Sequence, residues 1–152
     1  MEAETEKERR AQGSGLKAQG VECRHTSCSR RAFMSRDHRK LEVFRMADAL
    51  AERVYHATRN APAEERYGIT IQLRRAAVSV ACNIVEGCAR RTSREYLQFV
   101  NVAFGSASEA QYLLHLTVRL GLLSPAEGAP LCDAYLQLLR RLQKLLQAIE
   151  RM

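Results

Sequence analysis

QLRRAAVSVACNIVEGCARRTSREYLQF, residues 72 to 99, is the stretch whose reading decides the fold. Its first half has helical periodicity through Asn83, Glu86 and Gly87 and breaks at an arginine-rich turn. A new helix opens at once at Thr92-Ser93-Arg94-Glu95. That tetrad is a capping box, with Thr92 as N-cap and Glu95 reaching back to it. Two helices joined by so short a turn must lie antiparallel.

Working upstream, the second helix is expected from about Ile69 to Gly87. At about 100° per residue, Ile69, Leu73, Ala76, Ala77, Val80, Ile84 and Gly87 fall on one arc and face a core. Val78, Ala81 and Val85 fall on a second apolar arc. Arg75, Ser79, Asn83, Glu86 and Arg90 form a narrow polar stripe at spacings 4-4-3-4. A helix that is apolar on two sides meets two neighbours. The second is either another helix of the bundle or a second subunit, and the subunit is preferred because Ala81 permits close approach. The stripe has two readings. In one, Glu86 pairs with Arg90 at i,i+4 and Asn83 satisfies backbone groups. In the other, Ser79, Asn83 and Glu86 line a subunit interface or channel.

An earlier helix, from about Arg39 to Arg59, shows an apolar stripe of Val43, Met46/Ala47, Leu50, Val54 and Ala57. It stops before Pro62, since proline disfavours helical conformation in the residue before it. Downstream, the third helix extends to Leu120 and closes at Gly121 as C′ glycine. Ser124-Pro125-Ala126-Glu127 reads as a second capping box, with proline at the first helical position. The fourth helix carries Leu131, Tyr135, Leu138, Leu142, Leu145 and Ile149 at heptad-like steps. The expectation is therefore all-α, an antiparallel up-down four-helix bundle over 38–152. Residues 1–37 lack hydrophobic periodicity and are read as a disordered N-terminal extension, with Met34 a candidate natural start.

Composition narrows the function classes. The 152 residues include five cysteines, no tryptophan and 6% aromatics, and the formal charge is +7. Of that charge, +5 falls to residues 38–152, which favours anionic partners such as RNA or DNA, or simple solubility. No apolar run reaches the ~18 residues that cross a membrane, and the N-terminus has no secretory pattern. Cys82, Cys88 and Cys132 lie within helical patterns and read as small, buried-type thiols of a reducing cytosol. Cys23, His25, Cys28 and His38 fit no standard zinc spacing. His56 and His115 lack ligand partners at metal-binding spacing. Glu86 and Glu109 are each followed three residues on by Ala89 and Tyr112, not by the histidine a di-metal bundle needs. No phosphate-binding glycine loop occurs; Gly105-Ser106 lies mid-helix and reads as a close-packing point. The chain is thus read as non-enzymatic, with no cofactor.

The basic clusters are Arg74/Arg75, Arg90/Arg91/Arg94 and Arg140/Arg141/Lys144. The middle one sits at a turn and a helix N-terminus, where free N–H groups also attract phosphate. The alternative for all three is a solvated face with capping ion pairs. Tyr67, Tyr96 and Phe99 are the aromatics nearest these arginines and read as core.

RRAAVSVACNIVEG with its arginine turn, YLQF and FGSASEA, together with KLEVFRMADALAERVY, EERYGITIQLRRAA and LGLLS, resembles a bacterial family of four-helix bundles. That family was first noticed as reading frames in intervening sequences of large-subunit ribosomal RNA genes. The resemblance covers about residues 39 to 150. It implies a homopentameric ring and no catalytic activity. A related branch implies an accessory role beside a reverse transcriptase in a diversity-generating retroelement. Positions matching the pattern are Arg74, Arg75, Ser79, Asn83, Glu86, Gly87, Arg90, Gly105, Ser106 and Glu109. Ala81 stands where the family often has proline, Val85 where it has alanine, and Cys88 where it has an aromatic. A straighter second helix and spare room near the turn are the expected consequences. The resulting expectation is a cytoplasmic oligomer that binds RNA, or less favourably DNA, through Arg74, Arg75, Arg90, Arg91 and Arg94. A protein-interaction scaffold is the alternative.

Overall fold

Four helices follow one another: α1 (Glu42–Ala57), α2 (Ile69–Cys88), α3 (Ser93–Arg119) and α4 (Pro125–Glu150), with a 3-10 turn at His38–Lys40. The computed structural model describes residues 36–62, 65 and 68–151. The expectations placed on 1–35 lie outside the described residues. These are the disorder, the start at Met34 and the ligand set of Cys23, His25 and Cys28; the reading of Tyr67 as core lies outside them too.

Each boundary has a local cause. Asp37 Oδ1 accepts the Arg39 N–H at 3.1 Å and starts the separate 3-10 turn, and extended Leu41 then breaks it. Helix α1 therefore begins at Glu42, later than the periodicity alone predicts. It ends at Ala57, where the Thr58 hydroxyl turns back onto the Val54 carbonyl at 2.8 Å. At α3 the capping box is complete: Thr92 Oγ1 accepts from Glu95 N–H at 3.2 Å, and Glu95 Oε2 accepts the Thr92 N–H at 3.2 Å. The far end of α3 is a Schellman closure, with Gly121 at φ 72°. There the Leu122 N–H reaches the Thr117 carbonyl and the Gly121 N–H the Val118 carbonyl, each at 3.0 Å. Ser124 Oγ accepts from Glu127 N–H at 3.3 Å to open α4 on Pro125, but the Glu127 carboxylate takes the Ser124 hydroxyl rather than its N–H, so the expected second capping box is only half formed.

Packing closes the bundle as a square. Helix α2 lies most extensively along α3, α3 along α4, α1 along α2, and α4 returns to α1, while the backbones of the diagonal pairs stay apart. The core arc of α2 is buried as the periodicity predicts, apart from half-buried Ile69. On α4, Leu131, Tyr135, Leu138, Leu142 and Ile149 are buried and Leu145 is half-buried. Each fully buried leucine contributes about 1.5–3 kcal/mol relative to exposure. Arg141 clamps α4 to α1 through Glu42 at 2.5 Å. Helix α2 runs unbroken through Ala81, and Cys88 is buried beside the turn.

Candidate nucleic-acid interface and the α2–α3 groove

The arginines singled out by sequence divide into three settings. Arg74 leans back onto the end of α1, where Nε donates to Thr58 Oγ1 and Nη2 to the Thr58 carbonyl, both at 2.8 Å. Its guanidinium also lies 5.0 Å from the Tyr55 ring centre. This geometry satisfies a carbonyl that the end of a helix leaves open. Arg75, one residue on and about 100° round the helix, is exposed on the side toward α3.

At the α2–α3 turn, Arg90, Arg91 and Arg94 come together with a fourth arginine, Arg36. Arg90 pairs with Glu86, lies 4.4 Å over the Phe99 ring, and leaves its buried Nε without a hydrogen-bond partner. Arg36 lies 4.5 Å over Tyr96 and donates from Nη2 to Ser93 Oγ at 3.5 Å. Arg91 and Arg94 are exposed. Two stacked guanidiniums and two exposed ones thus share one end of the bundle. Nothing in the sequence around Arg36 marks it as a member of this group, because its own segment lacks periodicity.

Beneath Arg36, burial pushes the Tyr96 hydroxyl up to about 12, and burial likewise raises the thiol of Cys88, its hydrogen-bond partner. Glu95 is held below the usual carboxylate range by its hydrogen bonds from Thr92. Position 87 must be small here: a Cβ on Gly87 would stand 2.9 Å from Phe99 Cβ and 3.1 Å from the Tyr96 ring.

The polar stripe turns toward α3 of the same chain. Ser79 Oγ and Ser106 Oγ share a hydrogen bond of 2.9 Å between the helices. Asn83 Nδ2 donates to the Ser79 carbonyl at 2.7 Å and to Ser79 Oγ at 3.0 Å. Above this network runs an open groove of about 430 Å³, lined by Gln72, Arg75, Ala76, Ser79 and Glu109. Glu86 belongs to the other end of α2, so the two glutamates do not form a carboxylate pair. Among the described residues no three His, Cys, Asp or Glu side chains gather as a metal site.

Two expectations change. Gly105 is not a close-packing point within this chain, since a Cβ there would meet nothing within 4 Å, and Cys82 is exposed on α2 whereas Cys88 and Cys132 are buried. The second apolar arc of α2 borders α1. Ala81 is buried, while Val78 and Val85 stay 38% and 37% exposed along a groove of about 400 Å³ shared with Phe44, Asp48 and Ala51. No described helix is long and apolar enough to cross a membrane.

Comparison with known proteins supplies a family. The model of the 23S rRNA-intervening sequence protein matches residues 39–144. A solved protein of unknown function from the S23 ribosomal protein family of Bacteroides thetaiotaomicron shares the fold, with a TM-score of 0.63 at 18% identity. The match covers 68% of this chain and 97% of that one. No curated protein matches.

Proposed function

This chain belongs to the 23S rRNA-intervening sequence protein family, and from that premise we propose that it is a non-enzymatic, cytoplasmic homo-oligomer that binds RNA through its arginines. The observation that carries the reading is the cluster of Arg36, Arg90, Arg91 and Arg94 at one end of the bundle. Stacking on Tyr96 and Phe99 fixes two of these guanidiniums in place, so less side-chain entropy is lost when phosphate arrives. In a ring, pentameric by the family resemblance, each protomer adds the same cluster to a shared surface. Contacts of this kind follow phosphates and shape more than base edges.

The test is RNA retention by nuclease-treated protein over a salt series, with Arg94→Glu beside the native chain. Arg94 suits the substitution because it is exposed, whereas Arg90 also packs on Phe99. The expected result is affinity that falls steeply with salt, and a shallower slope for the variant, since each lost phosphate contact removes about 0.7 from a single-strand slope. RNA ignored at low salt rejects the proposal.

A second reading, a scaffold for a protein such as a reverse transcriptase, is favoured by the apolar groove along Val78 and Val85. Flanking DNA that encodes a reverse transcriptase and a variable repeat would support it.

A further inference from the structure

We propose that the groove between α2 and α3 receives an unpaired guanine base, held between Arg75 and Glu109; the proposal rests on the RNA reading above. The groove is lined by opposite charges that do not meet. Arg75 and Glu109 both border it, both are exposed, and no ion pair joins them. Between them the floor retains unused hydrogen-bonding capacity. Ser79 and Ser106 share one hydrogen bond, and Asn83 donates to Ser79, so one of the two hydroxyl hydrogens has no partner among the described residues. The Gln72 side-chain amide borders the same space without a hydrogen-bond partner among the described residues.

A phosphate does not suit this arrangement, because Glu109 would face it with like charge. The wall asks for a ligand with adjacent donors on one edge and acceptors on the next. Guanine has that pattern: N1–H and N2–H₂ lie side by side, as a carboxylate requires, and O6 and N7 suit a guanidinium. Adenine and uracil would each turn an acceptor toward the carboxylate, and cytosine offers it a single donor group. The groove's 430 Å³ leaves room for one base with its ribose.

The test uses the full chain and four labelled heptaribonucleotides: all-uridine, and uridine with one central guanosine, adenosine or cytidine. Binding is read by fluorescence anisotropy at a single low salt concentration. The guanosine oligomer should bind on the order of tenfold tighter than the other three. Glu109→Gln should erase that preference and leave all-uridine binding unchanged or slightly stronger, whereas Arg94→Glu should weaken all four alike. Equal binding of all four by the native chain overturns the guanine site and leaves the RNA reading standing. A preference that survives Glu109→Gln also overturns it. If none of the four binds, the RNA reading falls and the guanine site with it.

Discussion

Tyr135 is fully buried and its hydroxyl finds no hydrogen-bond partner, while Tyr96, equally sequestered, shares its hydroxyl with Cys88. Burial raises both phenols above their ordinary value of 10, Tyr96 to about 12 and Tyr135 further. In the unfolded chain each loses its proton near pH 10, while in the folded chain each keeps it. The unfolded state then binds fewer protons, and stability falls as pH rises from about 10 toward 12. Thermal melts between those values should show a steep loss in the native protein. Tyr96→Phe with Tyr135→Phe should flatten it. A loss of the same steepness in the double variant would mean that other groups drive alkaline unfolding. At neutral pH the Tyr135→Phe change alone should be close to neutral, because the hydroxyl it removes is buried and unpaired.

At the scale of elements, much of the structure was legible because end signals are local chemistry. Thr92 with Glu95, Ser124 with Pro125, and Gly121 each mark a boundary within a few residues, and each appears where the sequence places it. The start of α1 was less legible, because Asp37 caps a separate 3-10 turn that periodicity cannot see. Glycines inside helices were less legible still: their sequence context is alike and their surroundings are opposite. A Cβ on Gly128 would collide with Val118 Cγ2, whereas one on Gly105 would meet open space. Gly128→Ala should therefore destabilise by about 1–3 kcal/mol through overpacking. Gly105→Ala should stabilise by up to about 1 kcal/mol through helix propensity. Chemical denaturation of both variants checks the contrast, and destabilisation by Gly105→Ala would mean that a second surface packs on that face.

At the scale of the whole molecule, the sequence showed which polar residues matter but not which of them meet. Arg74 and Arg75 are neighbours in sequence yet serve different helix contacts, and Ser79 finds Ser106 only because α2 and α3 lie antiparallel in one register. Arg36 reaches the arginine turn from a segment that carries no pattern of its own. Assembly is where these pieces acquire a common consequence. If copies associate through the apolar groove along Val78 and Val85, the double change Val78→Asp with Val85→Asp should reduce the light-scattering mass to the 17.2 kDa of one chain. Both side chains are more than a third exposed, so the helical circular dichroism should persist. The same variant reports on RNA binding. A ring that engages RNA through several protomers at once has a salt slope set by all their phosphate contacts, and a lone protomer retains only its own share. The monomeric variant should thus bind more weakly and with a shallower slope. A monomer with the native slope would place the whole RNA site on one protomer, and an unchanged mass would move the subunit interface away from α1 and α2.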